Sequence, residues 1–262
     1  MSIDARHAFL RELAPAAGRL ADDFFRRRAD LDVEVKGPTD YVSVADRAVE
    51  RMIAEAIAKA FPGDAFLGEE TASTLDGVPA RLWIVDPIDG THNFLRGVPY
   101  WNVSIAYVEG GVRTLGAVCE PCAGALYHAR RGAGAWRADA RGDARLSTSE
   151  RTSLPGSMVC LGHHDRFPDE RYMAIRRALM DRNVAFRNFG SAALQLAHVA
   201  EGRYDGFVEM TLSSWDAMAG LLLVEEAGGY VAPFPGDAKL TERAPVVACG
   251  RGVAEALTAL LG

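Results

Sequence analysis

LWIVDPIDGTHNF, residues 82–94, is a run of apolar, strand-forming residues that ends in two aspartates, Asp86 and Asp89. Pro87 lies between them. It lacks a backbone N–H and fixes φ, so we expect the strand ladder to stop at Asp86 and a turn of fixed shape to follow. Two carboxylates around such a turn can converge on one hard cation. Taken alone, the turn is equally compatible with aspartates that only accept hydrogen bonds from backbone N–H groups.

The residues after the proline supply further groups for a ligand. The carbonyl of Ile88 is a candidate oxygen ligand for the cation. Gly90 lets the backbone approach a ligand closely, and the N–H groups of Gly90 and Thr91 open a predicted short helix that can bind an anion. The segment therefore predicts a metal site directly beside a phosphate site.

Acids elsewhere in the chain favour the metal site over a simple turn. Glu69 and Glu70 follow the apolar run AFL, at the end of a predicted strand. Asp216 lies in the first turn of a strongly apolar predicted helix, and Asp46 lies near the start of another. An acid at a helix start is also favoured by the helix dipole and by capping, which could explain either residue without a metal. Together these residues offer oxygen ligands without a histidine or cysteine partner, which favours Mg²⁺ over zinc or copper.

Two other acid motifs do not fit the segment. An EF-hand loop beginning at Asp86 needs oxygen donors at positions 88 and 90, where isoleucine and glycine stand. A phosphatase that forms an aspartyl phosphate needs an acid at position 87, which is proline. We therefore expect water to be the attacking group, in a direct in-line displacement.

The composition is that of a globular protein, with 262 residues of which 49% are apolar and 24% charged. The N-terminus mixes acids and arginines and the apolar runs are short, so we expect a cytoplasmic protein without membrane association. A net charge of −6 argues against general nucleic-acid binding. The CxxC motif at 119–122 has no second metal-binding pair, so we expect the four cysteines to be thiols in strands and turns.

The apolar pattern predicts two packed halves, residues 1–155 and 156–262, that form one catalytic unit. Spacings of three and four predict helices from Ile3 to about Leu31 and from about Val44 to Phe61. The polar stretch 137–150 is predicted to be a surface turn and loop. Antiparallel strands are predicted in the first half at 82–85, 101–108, 112–118 and 125–129. In the second half short strands alternate with predicted helices near 169–181, 191–201, 214–227 and 252–261.

Three segments, GEE (68–70), WIVDPIDGTHNF (83–94) and WDAMAGLLLVEEAGG (215–229), resemble the signature segments of the inositol monophosphatase family. KGPTDYVSVAD (36–46) and RNFGSAA (187–193) extend the resemblance over nearly the whole chain. The resemblance implies a lithium-sensitive phosphatase with a layered αβαβα sandwich of the sugar-phosphatase type. It also implies a homodimer and two to three Mg²⁺ ions in each active site.

The resemblance also assigns roles to the candidate residues. The first metal would be bound by Glu69, Asp86 and the carbonyl of Ile88, and the second by Asp86, Asp89 and Asp216, while Glu70 would help to hold a third through water. Asp89, Gly90 and Thr91 would contact the substrate, the latter two at its phosphate. Thr91 and Glu69 would orient and help to deprotonate the attacking water, and Asp46 would support them.

For the substrate, the resemblance favours a polyol monophosphate, above all inositol 1-phosphate. Glu209 matches a glutamate that reaches ring hydroxyls, and Gly190, Ser191 and Ala192 match the neighbouring contact loop. Glu209 could instead be an edge-strand acid that faces water. Histidinol phosphate, fructose 1,6-bisphosphate and nucleotide phosphates are alternative substrates on the same scaffold, and a regulatory binding protein is an alternative of another class.

Three places depart from the family pattern: His92, Met218 and the loop Gly162-His163-His164-Asp165. His92 could approach the substrate or lie on the surface at a helix start. Adjacent residues in a strand or loop point apart, which argues against His163 and His164 as a metal-binding pair.

Overall fold

The computed structural model describes residues 2–28, 33–35, 41–71, 79–163, 168–234 and 240–261. Its helices are α1 (Ile3–Arg26), α2 (Val44–Ala60), α3 (Thr91–Arg96), α4 (Asp169–Asp181), α5 (Ala192–Ala200), α6 (Ser214–Glu226) and α7 (Ala254–Thr258). Its strands are β1 (Val33–Val35), β2 (Tyr41–Ser43), β3 (Ala65–Gly68), β4 (Arg81–Asp89), β5 (Asn102–Glu109), β6 (Val112–Glu120), β7 (Ala125–Arg130), β8 (Gly134–Asp139), β9 (Gly142–Arg145), β10 (Met158–Leu161), β11 (Ala185–Arg187), β12 (Gly206–Leu212), β13 (Tyr230–Val231) and β14 (Ala244–Cys249).

These elements stack in layers. One sheet has the strand order β3-β4-β5-β6-β7-β8-β9, and helices α1 and α2 cover its outer face. Helices α5 and α6 fill the space between this sheet and a second sheet of order β11-β10-β12-β14-β13. The other face of the second sheet is covered by α4 and α7. The predicted αβαβα sandwich is therefore confirmed.

The two sheets differ in strand direction. The first is antiparallel except for the parallel pair β3–β4. In the second, β10 is parallel to both β11 and β12, which requires crossover connections and explains the alternation of strands and helices. One buried cluster contains side chains from β4 to β8 together with α5 and α6, so the core joins the two parts of the chain. The division near residue 155 stays a prediction.

Two expectations about elements away from the aspartate segment are wrong. Helix α1 ends at Arg26 rather than near Leu31, because the N–H of Arg27 closes the last turn by donating to the carbonyl of Phe24. The polar stretch 137–150 is not a loop, since much of it forms the hairpin β8–β9 at the edge of the first sheet. An edge strand exposes its side chains to water and tolerates many charges. The polar composition of this hairpin therefore indicates a loop rather than strands when only the sequence is considered.

The cysteines lie where they were expected. All four are free thiols, in strands β6, β10 and β14 and in the turn after β6. None of the described helices is long and apolar enough to span a membrane.

A buried ion pair fixes α1 to the first sheet. The guanidinium of Arg6 donates to both carboxylate oxygens of Asp64, at 2.9 and 2.8 Å, and lies 4.7 Å from the ring centroid of Phe61. The indole of Trp83 on β4 donates to the same carboxylate at 3.1 Å. The Asp64 side chain is 1% exposed and that of Arg6 is 5% exposed. The pair therefore links α1 to β4 on the side of the sheet opposite α5 and α6.

We expect Asp64→Ala to destabilise the protein by about 3–5 kcal/mol, because the buried Arg6 guanidinium would lose the carboxylate that accepts two of its hydrogen bonds. The matched control is Asp143→Ala, which removes a solvent-exposed pair with Arg11 and should cost less than about 1 kcal/mol. Urea unfolding of both variants at pH 7 measures the difference. Equal unfolding midpoints for the two variants would show that the buried pair does not hold α1.

Candidate metal centre

A β-bulge brings the first two aspartates together. Strand β4 does not stop at Asp86 as predicted but continues to Asp89. Opposite β5, Asp86 pairs with Ser104 and Asp89 with Asn102, so β4 contains one residue more than its partner. Side chains three apart in a regular strand point to opposite faces, and the extra residue turns Asp89 to the same face as Asp86. Pro87, which has no N–H for the ladder, lies within this bulge.

The third carboxylate comes from α6. One oxygen each of Asp86, Asp89 and Asp216 lie within 4.8 Å of one another. Asp216 also accepts a hydrogen bond from the N–H of Ser213 at 3.1 Å, so it stabilises the helix start as well. Ser104 on β5 donates to the carbonyl of Trp215 at 3.1 Å and fixes this end of α6 against the sheet.

Asp89 is held by four hydrogen-bond donors, three at the start of α5 and one, Asn102, at the start of β5. Its Oδ2 accepts from the Asn102 side chain at 2.7 Å, the Ser191 hydroxyl at 2.8 Å and the Ala193 N–H at 2.8 Å. Its Oδ1 accepts from the Ala192 N–H at 3.1 Å. A helix N-terminus favours a negative charge, so α5 stabilises the ionised form. The predicted contact of Ser191 and Ala192 with substrate stays a prediction, since both are engaged with Asp89 here.

Glu69 and Glu70 follow β3, as the sequence predicts. The N–H of Glu69 extends the pairing with β4 by bonding to the carbonyl of Val85 at 3.1 Å. The N–H of Glu70 bonds to the carboxylate of Glu50 on α2 at 2.9 Å. A Cβ at Gly68 would lie 2.2 Å from that carboxylate, so only glycine lets Glu50 reach the turn.

Glu50 was missed by the sequence analysis. It is 3% exposed, and Asp46, one helical turn earlier on α2, is 1% exposed. Acids at i and i+4 share one face of a helix, and this face otherwise packs apolar residues. That spacing was a usable signal, because buried acids are rare unless they have partners.

Gly90 and Thr91 lie at the start of α3, beside the aspartates. Gly90 has φ +94°, a conformation that favours glycine, and a Cβ there would lie 3.1 Å from the carbonyl oxygen of Gly190. The predicted phosphate segment and the predicted contact loop are thus adjacent. The Thr91 hydroxyl donates to the Ile88 carbonyl at 3.0 Å and lies 3.5 Å from a carboxylate oxygen of Asp46. That carbonyl keeps a second lone pair for another partner.

The electrostatics of this cluster indicate a cation site. Burial and the charges of Glu69, Asp89 and Asp216 raise the pKa of Asp86 well above its usual value. Burial and the charge of Asp89 raise the pKa of Asp216 to about 6, although Arg243 opposes the shift. Burial also raises the pKa of Asp89, against the hydrogen bonds that it accepts. A divalent cation relieves this repulsion, and an all-oxygen donor set fits Mg²⁺.

Glu209 is not an edge-strand acid, so that alternative is wrong. It lies on β12, which has a neighbouring strand on each side, and it is 8% exposed. Burial and the charges of Asp216 and Asp89 raise its pKa to about 8. A Cβ at Gly162 would lie 2.0 Å from its carboxylate, so this glycine leaves room for the Glu209 side chain. Its contact with substrate stays a prediction.

The three departures from the family pattern lie in different environments. His92 is exposed in the first turn of α3, and Met218 is buried in the core at 2% exposure. His163 is exposed, with its ring 4.6 Å from that of Tyr172. His164 and Asp165 lie outside the described residues.

Comparison with known proteins agrees with this geometry. A profile described as the inositol monophosphatase family matches residues 4–261. The chain belongs to the inositol monophosphatase family. It is therefore a phosphoric monoester hydrolase, as predicted, in a family of metal-dependent phosphatases.

Relatives in this family have two kinds of name. The chain is 40% identical over 258 residues to the inositol-1-monophosphatase of Rhizobium meliloti, covering 97% of this chain and 96% of that protein. It is 39% identical over 242 residues to the Nus factor SuhB of Pseudomonas aeruginosa, covering 90% and 88%. The crystal structure of the extragenic suppressor protein SuhB from Bartonella henselae has a TM-score of 0.89 at 36% identity and covers 98% of each chain.

We expect the metal-free protein to lose stability as the pH rises from about 4 to 8. The folded state raises the pKa of Asp216 to about 6 and of Glu209 to about 8, so it binds their protons more tightly than the unfolded chain does. Mg²⁺ should offset the resulting repulsion, so the Mg²⁺-induced rise in Tm should increase from pH 5 to pH 8. Thermal unfolding with Mg²⁺ or EDTA measures this.

The control for this prediction is Asp216→Asn. It removes one of the repelling carboxylates, so the Tm without metal should depend less on pH and Mg²⁺ should stabilise the variant less. A Mg²⁺-induced rise in Tm that is equal at pH 5 and pH 8 in the unsubstituted protein would contradict the interpretation.

Proposed function

We propose that the protein hydrolyses polyol monophosphates in a Mg²⁺-dependent reaction, with inositol 1-phosphate as its substrate. The observation that carries the proposal is the approach of the Asp86, Asp89 and Asp216 carboxylates to within 4.8 Å of one another, beside the start of α3. The 40% identity to an inositol-1-monophosphatase supports this choice of substrate. We also propose lithium sensitivity, a homodimer and a cytoplasmic location, each from the family resemblance.

We propose two to three Mg²⁺ ions for this site. Glu69, Asp86 and the Ile88 carbonyl would hold the first, Asp86, Asp89 and Asp216 the second, and Glu70 would assist with a third. When bound, the ions would neutralise the phosphate dianion, make a water molecule more acidic and stabilise the leaving alkoxide.

The chain's own groups would then orient the reactants. The N–H groups of Gly90 and Thr91 at the start of α3 would bind phosphate oxygens, together with the helix dipole. The Thr91 hydroxyl, which donates to the Ile88 carbonyl and lies beside Asp46, would accept a hydrogen bond from the attacking water. Glu69 would accept the proton that the water loses. The water would attack phosphorus directly and in line, without a phosphoenzyme.

The substrate alcohol would lie against Glu209 and the loop at Gly190, Ser191 and Ala192. Glu209 is buried and close enough to Asp216 and Asp89 for their charges to affect it. A carboxyl group at this position can bond to neighbouring hydroxyls of a ring, which supports a polyol over a simple alkyl phosphate.

The name of one group of relatives favours a second candidate function. A protein 39% identical to this chain is named Nus factor SuhB, so a regulatory binding role is proposed as an addition to catalysis. The acids of the candidate metal centre are all present, which argues that hydrolysis is retained.

We expect Mg²⁺ to support, and EDTA to abolish, release of phosphate from inositol 1-phosphate. Measured kcat/KM values should be lower for histidinol phosphate, fructose 1,6-bisphosphate and adenosine 3′,5′-bisphosphate. Preference for one of these by more than about tenfold, roughly 1.4 kcal/mol in transition-state binding, would displace inositol 1-phosphate. Glu209→Gln should lower kcat/KM for inositol 1-phosphate more than for p-nitrophenyl phosphate, which has no ring hydroxyls.

Asp89→Asn should reduce kcat by about a thousandfold or more, because several kcal/mol of transition-state charge stabilisation depends on the metal ions. The fold should survive, since the amide replaces a carboxylate of the same shape. Asp143→Asn, at an exposed position on β9, is the control and should keep full activity. Near-normal Mg²⁺-dependent turnover by Asp89→Asn would refute the assignment of the second metal, whereas a regulatory binding role would survive this substitution.

A further inference from the structure

Asn102 is a buried polar residue beside the candidate metal centre. It opens strand β5, is 0% exposed, and is the direct cross-strand partner of Asp89 at the bulge. A primary amide in such a place is costly unless its polar atoms are bonded. Among the described residues, its Oδ1 has no hydrogen-bond partner. An apolar side chain would avoid that cost, so a role in stability alone does not account for the residue.

Both N–H groups of the Asn102 side chain are used on the side of the metal centre. Its Nδ2 donates one hydrogen bond to Oδ2 of Asp89 at 2.7 Å and another to the Ser191 hydroxyl at 3.0 Å. The Ser191 hydroxyl in turn donates to the same Asp89 oxygen at 2.8 Å. Ser191 precedes α5 but its side chain does not cap that helix. Asn102 therefore occupies a lone pair of the hydroxyl and directs its proton towards Asp89.

These contacts make the two oxygens of Asp89 unequal. Oδ2 accepts three hydrogen bonds, from Asn102, Ser191 and Ala193, while Oδ1 accepts one longer bond from Ala192. A carboxylate oxygen has two lone pairs, so Oδ2 has no capacity left and Oδ1 retains one lone pair.

We propose that Asn102 is a positioning residue that engages Oδ2 of Asp89 and so presents Oδ1 to the cation shared with Asp86 and Asp216. The inference rests on the proposed metal-dependent function and assigns to it a residue outside the ligand set. Asn102 links β4, β5 and α5 at the bulge, so its loss removes one of the three hydrogen bonds to Oδ2 and holds the Asp89 carboxylate less firmly. Outer residues that orient metal ligands in this way contribute about 10–100-fold to metal affinity.

The test measures Mg²⁺ binding to the full-length protein without substrate, by calorimetry and by the Mg²⁺-dependent rise in Tm. Asn102→Ala removes the donor, and Asn102→Leu removes it while keeping most of the volume that packs β5. Both should weaken Mg²⁺ binding by about 10–100-fold. The Mg²⁺ concentration for half-maximal activity should rise by a similar factor, while KM for the ester at saturating Mg²⁺ should change less than twofold.

Tyr107→Phe is the matched control, since it deletes a side-chain hydrogen bond to Glu109 farther along β5. It should leave the Kd for Mg²⁺ unchanged. A Kd within twofold of the unsubstituted protein for both Asn102 variants overturns this inference alone, even where their Tm is lower. Failure of the unsubstituted protein to bind Mg²⁺ overturns the proposed function, and this inference with it.

Discussion

Asp86, Asp89 and Asp216 present oxygens within 4.8 Å of one another, and the repulsion between these carboxylates is the constraint on which the surrounding structure depends. Burial and mutual charge raise the pKa of Asp86 and Asp216, so the fold alone does not support full ionisation of the cluster. Oriented backbone dipoles offset part of the repulsion. Asp89, for example, accepts hydrogen bonds from two backbone N–H groups at the start of α5. A bound cation would offset the remainder.

The layered architecture places these groups with little freedom to move. Helices α5 and α6 lie between the two sheets, and both begin beside the end of β4. A helix packed on both sides cannot rotate without disrupting the core, so its first turn holds ligands at fixed positions. From the other side of the first sheet, α2 contributes Asp46 and Glu50, which contact Thr91 and the turn at Glu70. The site is therefore formed where several rigid elements meet.

Much of the candidate site could be predicted from local patterns. Carboxylates at strand ends and helix starts were recognisable, because Asp86, Asp89 and Asp216 stand beside apolar runs that must be buried. The bulge in β4 was not, since Pro87 predicted an end to the strand, whereas the opposite strand accommodates it with one residue fewer. Asn102 and Glu50 also escaped notice. Each acts through a partner distant in the chain, and nothing in the residues around them identifies that partner.

The sequence by itself determined the class of fold, the oxygen-rich chemistry and the family, because apolar periodicity and short motifs are local properties of the chain. Only the tertiary structure decided which oxygens meet and how they are held. Asp216 joins Asp86 and Asp89 because α6 packs against the first sheet, and Asp89 faces them because a bulge reverses the side to which it points. Distances between residues far apart in the chain follow from core packing and strand register. A single substitution that alters the packing or the register can change these distances.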